Sequence, residues 1–272
     1  MIRLSKISIP KYHWKREPVD SRDHIYTPAP ELLASLPVSV DMRPNCSPIE
    51  DQGQLGSCTG NAIAGIVEYM DIKEGKATPS HPIQVSRLFI YYQERVIEGD
   101  VYYDNGAYIR DGIKAMNTYG APLESLWPYV VSRFAVRPST AAYTDAAKRK
   151  AGAYQKCANF TAVKTALAQG YPVVIGFTVY ASFESGTWWQ PSGTGLMPYP
   201  NVNTEQILGG HAVSLVGYND NLTGPAGKGY FIARNSWGTS WGKSGYFYMP
   251  YSVIQNTNMS SDFWIITSVT NP

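Results

Sequence analysis

The strongest constraint on how this chain can fold is an apolar helix that begins directly at a cysteine. Four apolar residues follow Cys58 at helical spacing: Ile63, Ile66, Val67 and Met70. A thiol at a helix N-terminus meets the positive end of the helix dipole, which favours the reactive thiolate. A lone cysteine beside an apolar helix is more often an inert core residue. Cys58 is therefore a candidate nucleophile only if the chain also supplies a base and a group that orients the base.

A histidine and an asparagine in the second half of the chain supply these two groups. His211 follows two glycines at the start of a strand-like run, and Asn235 follows the next such run. A histidine in that place is, on its own, more often a structural hydrogen-bond donor. Beside Cys58, the pattern predicts that Asn235 holds one imidazole nitrogen, that the other nitrogen faces the thiol, and that Trp237 shields the bond between His211 and Asn235 from water.

Composition sets the class of protein. With 272 residues, 44% of them hydrophobic and 16% charged, the chain can bury a large core as one domain or two lobes. The net charge of +2 favours neither nucleic acid nor a membrane surface as a partner. We find no stretch of signal-peptide or membrane-spanning length, so the compartment is left open. We also expect a monomer.

The three cysteines, Cys46, Cys58 and Cys157, are too few for a disulfide framework or for a zinc site with paired ligands. We therefore predict no metal and no cofactor. At least one thiol is unpaired because the number is odd, and the sequence does not decide whether Cys46 and Cys157 form a disulfide.

Element patterns divide the chain unevenly. Residues 1–36 are rich in proline and polar residues and are interpreted as an extended arm, with four apolar anchors: Tyr12, Trp14, Ile25 and Tyr26. Helical periodicity, including a stripe from Val85 to Val96, dominates about residues 50–150. Strand-like runs dominate residues 151–272, and about 37–49 joins them. We predict an α+β fold with a helical lobe, an antiparallel barrel-like β lobe and a cleft between them.

Three ordered blocks resemble the signature blocks of the papain family of cysteine peptidases. They are Gln-Gly-x-x-Gly-Ser-Cys ending at Cys58, Gly-His-Ala-Val-x-x-Val-Gly-Tyr around His211, and Asn-Ser-Trp-Gly-x-x-Trp-Gly-x-x-Gly-Tyr from Asn235. The resemblance covers about residues 37–270. His211 follows Cys58 by 153 residues, slightly beyond the spacing of about 130 to 150 residues usual in the family, which loop insertions explain.

The resemblance implies a role for each matching residue. Cys58 is similar to the nucleophile, His211 to the general base and acid, and Asn235 to the residue that orients the imidazole. Gln52, six residues before Cys58, is similar to the glutamine that stabilises the negatively charged intermediate. The implied activity is that of an endopeptidase acting through an acyl-enzyme.

The resemblance also sketches a substrate groove. A peptide or protein substrate would bind in extended conformation along a loop whose backbone pairs with it. The matching positions are Gly106, Ala107, Tyr108, Ile109, Gly176, Gly210, Ala212 and Trp237. Several of these border the pocket for the residue two before the cleaved bond, and the pocket floor is expected near Ser261 and Asp262.

Departures from the family pattern leave alternatives open. Leu55 and Thr59 replace a cysteine and an aromatic residue that are usual in the family, and only about 36 residues precede the body in place of a long helical propeptide. We expect the arm to act as a short pro-segment that docks across the cleft or on the lobe surface and restrains activity, as in a zymogen. An acyl transferase or ligase using the same thioester, or a catalytically silent binding protein, are the alternatives.

Overall fold

The computed structural model describes residues 12–270. Residues 1–11 of the predicted arm therefore lie outside the described residues. The helices are α1 (Pro30–Leu33), α2 (Cys58–Lys73), α3 (Arg87–Glu98), α4 (Ile109–Thr118), α5 (Thr140–Ala146), α6 (Phe160–Ala168), α7 (Ala181–Glu184) and α8 (Tyr251–Gln255). The strands are β1 (Ile25–Tyr26), β2 (Ser39–Asp41), β3 (Lys150–Cys157), β4 (Val173–Tyr180), β5 (Ile207–Gly224), β6 (Gly227–Arg234), β7 (Tyr246–Pro250) and β8 (Ser260–Thr270).

The predicted α+β class is confirmed. The strands form one sheet in the order β1, β3, β8, β4, β5, β6 and β7, with β2 also paired to β5. Every pairing is antiparallel except that of β1 with β3. An antiparallel sheet buries one face well when helices cover it. Helices α2 and α4 both lie against this sheet, and α3 packs on these two helices.

The helix that begins at Cys58 is the central packing element. Fourteen of the 16 residues of α2 are buried, as expected for a helix enclosed by protein on all sides. Its glycines permit close approach: a Cβ on Gly60 would lie 2.9 Å from the carbonyl oxygen of Arg87 in α3. On the sheet side, the Ser214 hydroxyl of β5 donates to the Ala62 carbonyl of α2 at 3.0 Å. Cys58 is thus held between the helices and the sheet.

The sheet register brings the second half of the site together. In β4 and β5, Phe177 lies opposite His211 and Gly176 opposite Ala212. Ser214 of β5 pairs with Arg234 of β6, so the chain that leaves β6 runs back along β5 towards His211. The antiparallel register therefore places the residues from 235 onwards beside the histidine.

Several local predictions were wrong or incomplete. Strand β3 and helix α5 were not predicted, because most of the β3 residues are only partly buried and α5 is short. Val96, predicted at the end of the apolar stripe of α3, and Ile25, predicted as an anchor of the arm, are both exposed. All three cysteines are buried and free, so Cys46 and Cys157 form no disulfide.

Candidate active site

Cys58 lies at the end of a tightly held turn. The Gly56 N–H donates to the Asp104 carboxylate at 3.0 Å, and the hydroxyls of Ser57 and Tyr129 are 2.5 Å apart. The Cys58 side chain is fully buried, and its thiol accepts hydrogen bonds from three backbone amides, those of Ala212, His13 and Thr59. The sulfur therefore touches both strand β5 and the N-terminal arm.

Burial dominates the protonation of this thiol. It raises the pKa of Cys58 to about 11, although the amide donors act in the opposite direction. Helix position alone favours a lowered pKa, but a thiolate without water loses more solvation than the helix dipole returns. Burial likewise lowers the pKa of His211 to about 4, against the effect of its hydrogen bond to Asn235. The neutral thiol and the neutral imidazole are favoured while the site is covered.

The imidazole of His211 is held from two directions. Its Nε2 lies 2.8 Å from Asn235 Oδ1, which also accepts the Ser236 N–H at 2.8 Å. The Trp237 ring stacks on the imidazole with centroids 4.8 Å apart. Among residues 12–270, Nδ1 of His211 has no hydrogen-bond partner, so the predicted bond to the thiol is not formed in this state.

Gln52 is clamped at both ends of its amide. Its Nε2 donates to the Leu55 carbonyl at 2.9 Å, and its Oε1 accepts the Ser236 hydroxyl at 2.7 Å. Its backbone N–H donates to the Ser236 carbonyl at 2.8 Å. Because Nε2 carries two hydrogens and Leu55 takes one, the second can bind another acceptor. Ser236 thus links the segments that carry Gln52 and Asn235.

The arm crosses this site, and two of its residues pair with predicted groove positions on opposite sides of Cys58. His13 pairs with Gly210, and Trp14 pairs with Ala107. The Trp14 N–H donates to the Gly210 carbonyl at 2.8 Å, and the Lys15 N–H donates to the Ala107 carbonyl at 3.1 Å. The arm therefore forms a short backbone ladder with both walls of the cleft.

Glycines make room for the arm. A Cβ on Gly176 would lie 1.9 Å from the Trp14 ring, and one on Gly106 would lie 1.6 Å from the His13 carbonyl oxygen. Trp14 is only 7% exposed. Any larger residue at position 176 would displace this ring.

The remaining groove positions are at the rim or beneath it. The Tyr108 ring lies 5.6 Å from the Lys15 ammonium, whereas Ile109 is fully buried in the main core at the start of α4. On the other side, the Tyr12 ring meets His211 edge-on at 5.9 Å and Trp237 at 5.8 Å. Its hydroxyl donates to Glu184, and burial raises the Tyr12 pKa far above its usual range.

Glu17 anchors the arm beyond the groove. Its Oε1 accepts the Arg110 N–H at 2.5 Å and the Trp264 indole N–H at 3.1 Å, and its Oε2 lies 3.1 Å from Lys156 Nζ. The Glu17 N–H donates to Asp262 Oδ2 at 3.0 Å. Asp262, considered for the pocket floor, thus contacts the arm.

Sequence reasoning missed several of these contacts. Tyr12 and Trp14 were identified only as apolar anchors. Glu17 of the arm contacts the body, while Glu98 and Glu184 of the body contact arm side chains. The partners in each pair are far apart in sequence, and no local pattern marks such pairs. Asp104, which lies just before the predicted groove positions, was assigned no role, whereas its carboxylate holds the turn before Cys58.

Residues 12–270 lack two features that mark other classes of protein. No group of three or more histidine, cysteine or acidic side chains is arranged to hold a metal ion. Within the same range, no helix has both the length and the apolar character needed to span a bilayer.

Comparison with known proteins gives the family. The model of the papain family cysteine proteases matches residues 36–266. A peptidase C1-like protein of Acanthamoeba polyphaga mimivirus is 43% identical over 82% of this chain and 70% of its own length. Cysteine proteinase 3 of Entamoeba histolytica is 27% identical over 79% of this chain and 63% of its own length.

Solved structures agree. Xylellain, a cysteine protease from Xylella fastidiosa, superimposes with a TM-score of 0.84 and 38% identity, covering 94% of this chain and 96% of that one. A procathepsin B of Trypanosoma congolense, 20% identical, shares the fold with a TM-score of 0.67 over 90% of this chain and 82% of its own. The helix-terminal thiol of Cys58 contacts the residue next to the Asn-held His211, and together with these matches it leads to one conclusion: the chain belongs to the papain family of cysteine proteases.

Proposed function

We propose that this cysteine protease is an endopeptidase in which Cys58 is the nucleophile, His211 the general base and acid, and Asn235 the group that orients His211. One observation carries the proposal: two neighbouring residues of β5 contact the thiol and the asparagine, respectively. The Ala212 amide hydrogen-bonds the Cys58 thiol, while the neighbouring His211 is held at Nε2 by Asn235. Nδ1 is then the nitrogen left to exchange a proton with the sulfur.

In the first stage, formation of the acyl-enzyme, the sulfur replaces the amine on the carbonyl carbon. His211 Nδ1 takes the thiol proton, and the sulfur bonds to the carbonyl carbon of the scissile peptide, whose oxygen becomes negatively charged. The free hydrogen of Gln52 Nε2 and the Cys58 N–H, which has no partner within α2, are the donors suited to that oxygen. The C–N bond then breaks as His211 gives its proton to the leaving amine.

Hydrolysis of the acyl-enzyme reverses the proton path. His211 takes a proton from water, the oxygen of that water bonds to the thioester carbon, and the C–S bond breaks. The sulfur recovers the proton from His211. No contact of the described residues favours an amine acceptor over water.

We further propose that the arm restrains this activity. Three features support restraint: His13 covers the sulfur, Trp14 fills the pocket between Gly176 and Gly210, and burial keeps Cys58 and His211 neutral. The direction of the arm also protects it from cleavage. The leaving amine must lie near His211, where Tyr12 packs, so a substrate runs from the Lys15 position to the Tyr12 position, opposite to the arm.

The catalytic roles are tested on the full chain with a fluorogenic peptide and an epoxysuccinyl inhibitor. We expect Cys58→Ala to abolish hydrolysis and labelling, and Cys157→Ala, which removes another buried thiol, to preserve both. Gln52→Ala should lower kcat by about 10² to 10³. Labelling that persists in Cys58→Ala would contradict the proposed nucleophile. A transfer product dominating over hydrolysis with an added amine would instead favour an acyl transferase.

A further inference from the structure

The arm places a lysine on two carboxylates at the edge of the cleft. The Lys15 ammonium lies 2.6 Å from Glu98 Oε2 and 3.9 Å from Asp100 Oδ2. Glu98 is the last residue of α3, and its side chain is only 6% exposed. Its other oxygen, Oε1, accepts the Tyr108 N–H at 2.8 Å. Both Glu98 oxygens are therefore used, and the carboxylate is fixed in position.

The protonation of the Glu98 carboxylate depends on Lys15 of the arm. Burial raises the pKa of Glu98, and Lys15 and the Tyr108 N–H oppose that effect. The nearby Asp111 adds negative charge. Of the ion pairs among residues 12–270, the one that Glu98 makes is with Lys15. When the arm leaves, a nearly buried carboxylate loses its cation, which is costly unless another cation takes the place.

The Lys15–Glu98 ion pair lies on the side of the cleft that would bind the acyl part of a substrate. Lys15 follows Trp14, and its N–H pairs with the Ala107 carbonyl, so its side chain leaves the cleft one residue beyond the aromatic pocket. Along the cleft, His13 lies at the Cys58 thiol, Trp14 lies next to it, and Lys15 is the farthest of the three. These positions lie on the side opposite Tyr12 and hence receive the acyl part of a substrate.

We propose that Glu98 and Asp100 form a subsite for a lysine or arginine side chain of the substrate, three residues before the cleaved bond. The arm currently occupies this subsite with Lys15. This is not an acidic cluster alone, because a cation of the chain is bound there and the Tyr108 ring flanks it at 5.6 Å. The inference rests on the proposed peptidase function and adds a substrate class: peptides with a basic residue before a bulky apolar or aromatic one.

A matched pair of peptides tests the subsite. The two substrates carry an aromatic residue two before the cleaved bond and differ three before it, where one has arginine and the other citrulline, its uncharged isostere. A charge-assisted hydrogen bond gives about 1.5 to 3 kcal/mol. We therefore expect the full chain to favour arginine by roughly 10- to 100-fold in kcat/KM. Glu98→Gln should reduce this ratio to below about threefold. Glu184→Gln, which removes a carboxylate at the other end of the cleft, should leave the ratio unchanged.

A binding measurement separates this inference from the peptidase proposal. The full-length chain with Trp14→Ala, Lys15→Ala and Cys58→Ala cannot form the acyl-enzyme, and it lacks the two arm side chains that occupy the aromatic pocket and the subsite. We expect it to bind the fluorescent arginine peptide at least tenfold more tightly than the citrulline peptide. If this variant shows the binding preference but the same chain with Cys58 restored hydrolyses neither peptide, the peptidase proposal alone is overturned. Equal affinity, or a preference that survives Glu98→Gln, would overturn the subsite.

Discussion

Two parts of the arm hold it to the body by different physical means. Trp14 fits by shape: its ring occupies space that only the absence of a Cβ at Gly176 permits, and no charged group takes part in that contact. Glu17 fits by charge and hydrogen bonds, with Arg110, Lys156 and Trp264 around one buried carboxylate. The free energy of an apolar contact does not depend on pH, whereas that of a buried carboxylate does when burial shifts its pKa. Docking is therefore independent of pH at Trp14 and dependent on pH at Glu17.

The backbone amides of Trp14 and Lys15 report this docking directly. Both donate to body carbonyls, so hydrogen exchange at these amides requires the arm to open locally. Their protection factors measure the opening free energy separately from any catalytic assay.

Removing the Trp14 ring should have the largest effect. Trp14→Ala leaves a cavity at a site that is nearly buried, and such truncations cost about 3 to 5 kcal/mol. We expect protection of the two amides to fall by a factor of roughly 10² to 5 × 10³ and peptide hydrolysis by the full chain to rise. Unchanged protection would show that the ring does not hold the arm.

Removing the Glu17 side chain should have a smaller effect. Glu17→Ala leaves the Arg110 N–H and the Trp264 indole without their acceptor, which costs about 1 to 3 kcal/mol. Asp23 still pairs with Arg110 at 2.7 Å and with Lys156 at 3.2 Å, so the cations stay compensated. We expect protection to fall about 10- to 100-fold. A loss exceeding that of Trp14→Ala would reverse the ranking of shape over charge.

The pH dependence should come from Glu17. Burial and the neighbouring Asp262 raise its pKa from 4.5 to about 6, so docking is favoured by protonation. This contribution is complete below about pH 4.5 and is lost as the pH rises through about 6. Corrected for intrinsic exchange, protection should fall roughly tenfold between these limits.

Glu17→Gln is the matched control for that pH effect. The amide keeps an acceptor for Trp264 and resembles the protonated acid, so we expect protection that is close to wild type at low pH and flat up to pH 7. A rise in wild-type protection with pH, or an equal slope in Glu17→Gln, would contradict the assignment.

The smallest effect should come from Ile25, which was predicted to be an anchor. It is 48% exposed in β1, and surface truncations usually change stability by less than about 0.5 kcal/mol. Ile25→Ala should leave the protection of both amides within about twofold. A larger loss would mean that β1 contributes to docking.

The sequence predicted the parts of the fold that depend on local patterns. Helix α2 beginning at Cys58, the stripe of α3 and the strands around His211 follow from apolar periodicity, which is a local property. Strand β3 escaped because its residues lack a clean alternation of buried and exposed side chains. Val96 was misplaced because the C-terminal turn of α3 extends past the core that buries its earlier residues.

In the site, too, the sequence predicted some residues and missed others. The residue types at positions 52, 58, 211 and 235 indicated thiol chemistry because that chemistry needs a nucleophile, a base, an orienting amide and an oxyanion donor. Ser236, which joins Gln52 to the Asn235 segment, was not predicted because nothing in the sequence states that its hydroxyl faces position 52.

The sequence by itself determined the family, the α+β class and the candidate catalytic residues, because ordered motifs and periodicity are written along the chain. Only the tertiary structure decided the state of the site: a covered, neutral thiol, an arm running across the cleft, and Lys15 on Glu98. These features arise from residues 40 to more than 200 positions apart. Their proximity and burial depend on how the whole chain packs, and burial, not helix position, determined the pKa of Cys58.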